Sequence, residues 1–240
     1  HGCRNRNDHK VLQTMLHGGR VTIRSSPQLP DINLIARTFK EHRAQMVSKL
    51  NIEGSIELIR QRMMNGQAGM TFVAIDGPSG AGKSTLAEAL LSSLQGATVV
   101  HVDDFYSDEG KDPSGGMDVE DACDQYVDWL KLYELVLQPL KDGENGYYQI
   151  YDWVTQRPDT WVTLEPQGVL IVEGVYAMRP ELREAYDVKV FVDTSPETRL
   201  RRLGERSDNP VWVKRWAEAE VWYNANLRPI DYADVIVSGE

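Results

Sequence analysis

Residues 77–84 read Gly77-Pro78-Ser79-Gly80-Ala81-Gly82-Lys83-Ser84, which matches the pattern G-x-x-x-x-G-K-[ST] of phosphate-binding loops. The run before it, Thr71 to Ile75, is apolar and β-prone, and the run after it, Thr85 to Leu91, favours a helix. A strand that leads into a glycine-rich loop, which in turn opens a helix, directs backbone N–H groups and the positive end of the helix toward one point. The sequence therefore predicts a site for the phosphates of a nucleoside triphosphate.

Two side chains of this loop have predicted roles of their own. Lys83 is expected to reach the β- and γ-phosphates, and the Ser84 hydroxyl is expected to hold Mg²⁺. The predicted ATP-binding residues are Gly77, Pro78, Ser79, Gly80, Ala81, Gly82, Lys83, Ser84 and Thr85. ATP and Mg²⁺ are accordingly the expected cofactors.

Charge is distributed unevenly along the chain. The 240 residues carry a net charge of −10, but residues 1–50 contain nine Lys or Arg and three Asp or Glu, which gives +6 there and −16 over the rest. Residues 1–50 also lack sustained apolar periodicity. We therefore predict a basic, poorly ordered N-terminal extension over 1–50 and one folded domain over 51–240. An RNA-binding arm is the alternative for the extension, although aromatic residues that could stack on bases are nearly absent from it.

Composition argues against several other classes of protein. The acidic balance disfavours a nucleic-acid partner, and no apolar run approaches the length of a membrane span or resembles a signal peptide. Cys3 and Cys123 are far apart and belong to no metal-binding motif. This cysteine usage is typical of a reduced, cytoplasmic protein without disulfides.

From residue 51 onward, strand and helix patterns alternate, which predicts an α/β fold with a five-stranded parallel sheet flanked by helices. The predicted strands lie at 71–75, 97–102, 168–172, 188–192 and 234–237. The predicted helices lie at 52–64, over a continuous stretch at 119–140, from about Pro196, and at 211–226. The aromatic, alternating run 147–153 predicts a strand or hairpin outside the main sheet.

The acidic residues at the ends of two predicted strands are candidates for a role in chemistry. Asp103-Asp104 ends the second strand and Glu173 ends the third, while the glycine-rich loop follows the first. Ligands of an open parallel sheet bind beyond the carboxyl ends of its strands, so these groups should face one cleft. Phosphoryl transfer needs a group that meets the accepting hydroxyl and a carboxylate that helps to hold Mg²⁺. Asp103 suits the first role and Glu173 the second.

The predicted helix after Pro196 offers the cations that such a reaction also needs. Arg199, Arg202 and Arg206 are spaced by three and four residues, so they share one helix face. A solvated basic face is the simpler interpretation of this spacing. In an acidic chain that binds a triphosphate, we favour a helical, arginine-bearing lid in which Arg202 and Arg206 contact the transferring phosphoryl group.

Several strings of the chain resemble the uridine kinase group of the phosphoribulokinase/uridine kinase family of P-loop kinases. They are the loop 77–84, Asp103-Asp104-Phe105-Tyr106, Tyr151-Asp152-Trp153-Val154-Thr155, Ile171-Val172-Glu173-Gly174-Val175-Tyr176, Phe191-Val192-Asp193-Thr194 with Thr198-Arg199-Leu200, and Tyr232-Ala233-Asp234-Val235-Ile236. They occur in order and cover about residues 70–238. The resemblance implies transfer of the γ-phosphoryl group of ATP to a nucleoside hydroxyl.

Roles follow from the resemblance at the matching positions. Asp103 would accept the proton of the nucleoside 5′-hydroxyl, Glu173 would lie near Mg²⁺, and Arg206 would be a lid arginine that contacts phosphates. The residues implied to bind the acceptor are Tyr106, Asp118 on the ribose diol, Tyr151, Trp153 and, at the position where the family reads the pyrimidine with a histidine, Gln156.

Two departures from the family pattern bear on the acceptor. Gln156 can still donate and accept hydrogen bonds, but it replaces that histidine. After Arg206 the chain reads Ser207-Asp208-Asn209-Pro210, where the family has further arginines, and Arg202 could replace one of them. A divergent kinase that phosphorylates another small hydroxyl compound is therefore an alternative interpretation.

Our prediction is an ATP- and Mg²⁺-dependent kinase that phosphorylates the 5′-hydroxyl of a small-molecule nucleoside such as uridine or cytidine. The alternatives are a kinase of the same fold for pantothenate, a sugar phosphate or a glycerate, and a non-catalytic ATP-binding switch. Neither a nucleic acid nor a membrane is expected as a partner. Trp212, Trp216 and Tyr223 recur at helical spacing, which indicates core packing or a surface for a homo-oligomer.

Overall fold

The computed structural model describes residues 49–50, 52–65, 69–107, 118–204 and 210–240. The strands are β1 (Lys49–Leu50), β2 (Thr71–Asp76), β3 (Ala97–His101), β4 (Gly146–Asp152), β5 (Arg157–Leu164), β6 (Val169–Glu173), β7 (Val188–Asp193) and β8 (Val235–Ser238). The α-helices are α1 (Ile52–Asn65), α2 (Lys83–Ser93), α3 (Val119–Gln125), α4 (Trp129–Leu132), α5 (Gln138–Lys141), α6 (Pro196–Gly204) and α7 (Pro210–Asn226).

The main sheet is parallel, with the strand order β1-β8-β7-β2-β6-β3. The five predicted strands are confirmed, and the two-residue strand β1 adds a sixth at the edge, just before the predicted boundary at residue 51. The strand that leads into the glycine-rich loop, β2, lies in the interior of the sheet between β6 and β7. The predicted extension falls, up to residue 48, outside the described residues.

Each face of the sheet is covered by its own apolar cluster, as is usual for a parallel sheet. Along β2, Phe72 and Ala74 belong to one cluster, and Val73 and Ile75 belong to the other. The first cluster includes Tyr223 from α7, and the second includes residues of α1 and α2. This alternation holds β2 rigidly and so fixes where the loop after it begins. Among the described helices, none is long and apolar enough to cross a membrane.

The prediction of one continuous helix over 119–140 is wrong. Helix α3 ends at Gln125, and Val127 then forms an antiparallel bridge with Tyr106. The N–H of Asp128 donates to the carbonyl of Phe105 at 2.8 Å, and the Asp128 carboxylate then caps α4 by accepting from the N–H of Lys131 at 3.0 Å. A π-helical turn, Tyr133–Leu137, joins α4 to α5. These contacts tie the segment to the end of β3.

The hairpin predicted outside the main sheet is confirmed. Strands β4 and β5 form a separate antiparallel pair. Tyr148 of β4 stacks on Phe105 with ring centroids 5.0 Å apart, and its hydroxyl donates to Asp104 at 3.2 Å. The hairpin is therefore fastened to the turn that follows β3, beside the predicted site.

Candidate active site

A cleft of about 180 Å³ opens at the carboxyl ends of β2, β3 and β6. The residues that line it are Ser79, Gly80, Gly82, Lys83, Ser84, Thr85, Asp103, Tyr106, Tyr126, Val127, Glu173, Gly174, Val175, Tyr176, Leu203, Trp216 and Glu220. The structure thus brings Lys83, Ser84, Asp103 and Glu173, which are up to ninety residues apart in sequence, to the wall of one cavity.

The glycine-rich loop needs its first glycine for close packing. Gly77 has a φ of +147°, and a Cβ there would lie 2.4 Å from the carbonyl oxygen of Val192 in β7. Only glycine lets the chain turn this tightly away from the sheet. The loop then leads into α2, which begins at Lys83, and the Lys83 ammonium donates to the carbonyl of Pro78 at 3.3 Å.

Glu173 and Ser84 place hard oxygen atoms side by side. The Ser84 hydroxyl donates to Glu173 Oε1 at 3.2 Å, and His101 Nδ1 lies 2.6 Å from the same oxygen. The hydrogen bond to Glu173 raises the pKa of His101, and burial opposes it. No group of three or more potential His, Cys, Asp or Glu ligands exists among the described residues. Two oxygen donors suit Mg²⁺, which usually completes its shell with water and phosphate oxygens.

Asp103 opens into the cleft from the short 3₁₀ turn that follows β3. Asp103 as a whole residue is exposed to solvent, but it lies in the cleft, where protein atoms surround its carboxylate. This enclosure raises the pKa of Asp103, and Glu173 adds to the rise, whereas the Lys83 ammonium opposes it. A carboxylate with such surroundings is suited to accept a proton from a hydroxyl.

Five aromatic rings form a cluster beside the cleft, which we call the aromatic wall, and three of them, Tyr106, Tyr126 and Trp216, line the cleft itself. The aromatic wall consists of Tyr106, Tyr126, Tyr151, Trp153 and Trp216. The Tyr106 ring centroid lies 4.7 Å from that of Trp153, 5.0 Å from that of Tyr151 and 6.0 Å from that of Trp216. Tyr151 is buried, whereas half of Trp153 is exposed. Trp216, which the sequence pattern assigned to the core or to an oligomer surface, lines the cleft.

Of the five residues implied to bind the acceptor, Tyr106 lines this cleft. Tyr151 and Trp153 do not line it, although their rings contact Tyr106, and Asp118 and Gln156 lie elsewhere. Asp118 is exposed and caps α3, where its carboxylate accepts from the N–H of Asp121 at 2.9 Å. Gln156 is exposed in the turn between β4 and β5 and has a φ of 56°. In the part of the chain that the structure describes, neither residue contributes to the lining of this cleft.

The arginines of α6 contact the glycine-rich loop. Arg199 Nε donates to the carbonyl of Ser79 at 2.9 Å, and Arg202 Nη1 donates to the carbonyl of Gly80 at 3.0 Å. Arg202 Nη2 also donates to the carbonyl of Gly239 at 2.9 Å. Arg206 lies outside the described residues, so its predicted role stays a prediction.

Sequence reasoning missed the contacts of three residues that hold the loop, namely Asp76, Tyr223 and Glu220. Asp76, fully buried at the end of β2, accepts from the N–H groups of Gly77 at 2.6 Å and Met178 at 2.7 Å and from the hydroxyl of Tyr223 at 2.6 Å. Glu220, also buried, accepts from the N–H of Ser79 at 2.9 Å. The local signal for Asp76 was its place directly after the predicted strand 71–75, and the signal for Glu220 was a carboxylate three residues before Tyr223 in a predicted helix.

Comparisons with known proteins identify relatives of this chain. A model of the phosphoribulokinase/uridine kinase family matches residues 72–207. The chain is 32% identical over 187 residues to a uridine kinase of Staphylococcus haemolyticus, which covers 71% of this chain and 88% of that one. It is 33% identical over 181 residues to a uridine kinase of Staphylococcus aureus, which covers 70% of this chain and 86% of that one.

Solved structures show the same fold. A protein described as a possible uridine kinase from Bacillus stearothermophilus superposes with a TM-score of 0.60 at 24% identity, over 78% of this chain and 98% of that one. A candidate fructose transport system kinase from Silicibacter sp. TM1040 superposes with a TM-score of 0.55 at 23% identity, over the same shares of the two chains.

Proposed function

The chain belongs to the phosphoribulokinase/uridine kinase family, and on that premise we propose that it transfers the γ-phosphoryl group of ATP to the 5′-hydroxyl of a nucleoside such as uridine or cytidine. Its membership makes it a phosphotransferase with an alcohol group as acceptor. The observation that carries the proposal is that Asp103 and Lys83 line the same cleft, next to the aromatic wall.

On the acceptor side, Asp103 orients the hydroxyl and accepts its proton. The acceptor oxygen then forms a bond to the γ-phosphorus while the bond from that phosphorus to the ADP oxygen breaks. The raised pKa of Asp103 brings its basicity closer to that required at neutral pH. Asp103 forms no covalent bond to the phosphoryl group.

On the nucleotide side, the loop amides and Lys83 bind the phosphates and orient the γ-phosphoryl group. Ser84 and Glu173 would hold Mg²⁺, which supplies positive charge against the phosphate oxygens when it is bound. Arg202 of α6 and Arg206 would add cations from the side of the lid. Catalysis on this proposal rests on position and charge.

The choice of a nucleoside rests on the aromatic wall and on the relatives. A planar base can stack on Trp153, which is half exposed at the edge of the wall. The relatives named uridine kinase cover most of the chain. Tyr106 and Tyr151 would support the same base from behind.

The test is ADP release measured with Mg·ATP and a panel of acceptors. The panel contains uridine, cytidine, 5′-deoxyuridine, pantothenate, glycerate, fructose and a sugar phosphate, and Lys83→Ala serves as the blank. We expect uridine or cytidine to give the highest kcat/KM and 5′-deoxyuridine to give none, because it lacks the hydroxyl that accepts the phosphoryl group. ATP hydrolysis that does not depend on any acceptor would instead indicate an ATP-binding switch.

A non-nucleoside alcohol is the second candidate acceptor for the same reaction. The positions of Asp118 and Gln156 favour it, since these residues would read a ribose diol and a pyrimidine and neither lines the described cleft. A higher kcat/KM for pantothenate, glycerate, fructose or the sugar phosphate than for both nucleosides would decide for this candidate.

A further inference from the structure

One peptide unit of the glycine-rich loop, between Pro78 and Ser79, is held at both of its polar atoms. Its carbonyl oxygen accepts from the Lys83 ammonium at 3.3 Å and from the Ala81 N–H at 3.1 Å, and its N–H donates to Glu220 Oε2 at 2.9 Å. The Ser79 hydroxyl donates to the other oxygen of the same carboxylate. A rotation of this peptide would break the contacts to Lys83 and to Glu220 together.

The Glu220 carboxylate is itself firmly placed. The residue is 4% exposed and lies in the cleft wall. Arg199 Nη2 lies 3.7 Å from its Oε2, and Arg199 Nε donates to the carbonyl of Ser79. The buried negative charge is thus compensated by an ion pair and by two hydrogen bonds from one residue, as a buried carboxylate requires.

Helix α7 contacts one residue of the loop and the residue that directly precedes the loop. Trp216, Glu220 and Tyr223 follow one another at helical spacing and share a face. Glu220 holds the third residue of the loop, and Tyr223 holds Asp76, which immediately precedes the loop. Trp216 extends the same face into the aromatic wall. The helix therefore joins the nucleotide side of the cleft to the acceptor side.

We propose that Glu220 is a positioning residue for triphosphate binding. Through the Pro78–Ser79 peptide, it fixes the direction of the carbonyl that anchors Lys83, and so it keeps the ammonium beside the loop amides that receive the phosphates. The inference rests on the proposed use of ATP, but it does not depend on the identity of the acceptor.

Another physical effect of the Glu220 carboxylate would change the Kd for the triphosphate in the opposite direction. A carboxylate on a loop amide could compete with a phosphate for that N–H and repel the incoming charge. Removal of the carboxylate would then tighten triphosphate binding, whereas removal of a positioning residue weakens it. The sign of the change in Kd separates the two.

The first experiment measures the Kd of Mg·adenylyl-imidodiphosphate by calorimetry for the full chain and for Glu220→Ala, Glu220→Gln and Glu218→Ala. We expect Glu220→Ala to raise Kd about tenfold to hundredfold, the range for a lost hydrogen bond to a charged group. Glu220→Gln keeps an acceptor for the Ser79 N–H and should stay within about fivefold of the natural chain. Glu218, on the exposed side of the same helix, is the matched control and should leave Kd unchanged.

The second experiment tests the route through Lys83. In a Lys83→Ala background, Glu220→Ala should change Kd by less than about twofold, because the side chain that it positions is gone. A purely structural role of Glu220 would give the same fold-change in both backgrounds. Thermal unfolding of each variant reports whether it is folded. If Glu220→Ala is not, Glu220→Met, which keeps most of the side-chain volume but has no acceptor oxygen, replaces it in both experiments with the same expected loss.

Three results would overturn the proposal: an unchanged or lower Kd for Glu220→Ala, an equal loss for Glu220→Gln and Glu220→Ala, or additive effects of Glu220→Ala and Lys83→Ala. None of these measurements uses an acceptor. A failure of the nucleoside proposal in the acceptor panel would therefore leave this result intact, and the reverse also holds.

Discussion

At the scale of single residues, the close approach of Gly174 to Val102 brings the two acidic strand ends together. Gly174 follows Glu173 directly, has a φ of +154°, and donates its N–H to the carbonyl of Ile75 at 3.1 Å. A Cβ on Gly174 would lie 2.5 Å from the Cβ of Val102, the residue before Asp103. The absence of a side chain therefore lets the end of β6 lie against the turn that carries Asp103.

Gly174→Ala should destabilise the protein by about 3 kcal/mol, because overpacking against a buried residue adds to an unfavourable φ. Urea unfolding measures this loss. Gly143→Ala is the control, since Gly143 also has a positive φ, of +79°, but a Cβ there would meet nothing within 4 Å. It should lose about 1 kcal/mol, the cost of the backbone conformation alone. Equal losses would show that the contact with Val102 is unimportant.

Asp103→Asn should separate nucleotide binding from turnover. An amide keeps the shape of the side chain but cannot accept the hydroxyl proton, so kcat should fall by about 10²- to 10⁴-fold. The Kd of Mg·adenylyl-imidodiphosphate should stay within about threefold, because in our proposal the loop and Lys83, not Asp103, contact the phosphates. Steady-state kinetics and calorimetry measure the two quantities. A variant that retains its turnover would refute the role of Asp103.

At the scale of elements, α7 is seated on the central strand through Tyr223 and Asp76. Burial raises the pKa of Asp76 to about 6, while the hydrogen bond from Tyr223 lowers it. The folded pKa exceeds that of an unfolded aspartate, about 4, so the folded chain holds this proton more tightly. The contribution of Asp76 to stability is therefore fully present below about pH 4 and is lost as the pH rises through about 6.

Tyr223→Phe removes a donor to the ionised Asp76 carboxylate, so its cost should grow with pH. We expect a loss of about 2 kcal/mol at pH 8, where Asp76 is ionised, and about 1 kcal/mol or less at pH 5, where it is mostly protonated. Urea unfolding at the two pH values provides the measurement. Tyr147→Phe, at an exposed tyrosine of the hairpin, should cost nearly nothing at either pH. A cost for Tyr223→Phe that does not change with pH would argue against this coupling.

The prediction about the acceptor concerns Trp153, in the turn between β4 and β5. Trp153→Ala should raise KM for the nucleoside about tenfold or more, since stacking of a base on an aromatic ring contributes about 1–3 kcal/mol. The KM for ATP should stay the same, while the loss of ring contacts with Tyr106, Tyr151 and Trp216 should lower the stability by about 1–2 kcal/mol. Trp161→Ala, at a more exposed tryptophan of β5, is the control and should change neither constant. A nucleoside KM that is unchanged in Trp153→Ala would exclude Trp153 from the acceptor site.

The element that sequence reasoning misjudged shows where local patterns stop being informative. Periodicity over 119–140 is helical throughout, but the chain breaks at Val127 because its backbone pairs with Tyr106, twenty-one residues earlier. The local sign of the break was Asp128, a capping residue followed three positions later by Lys131. Sequence alone does not show that Tyr106 pairs with Val127, so the apolar pattern outweighs this sign of a helix end.

At the scale of the whole molecule, the predictable part of the site consists of residues in short motifs. Lys83 and Ser84 belong to a contiguous pattern, and Asp103 and Glu173 follow strands whose carboxyl ends must share an edge. Glu220 could not be found in this way, because Ser79 lies 141 positions away and no rule of spacing links them. Trp216 was missed as a cleft residue for the same reason.

The interior position of β2 has a consequence for synthesis on the ribosome. Its neighbours β6 and β7 are translated much later, and Tyr223, which fastens Asp76, follows by 147 residues. At about 5–20 residues per second, the nascent strand waits on the order of 10 s for that tyrosine. During this interval its edges are open to strands of other nascent chains, and the nucleotide pocket is completed only after α7 has emerged.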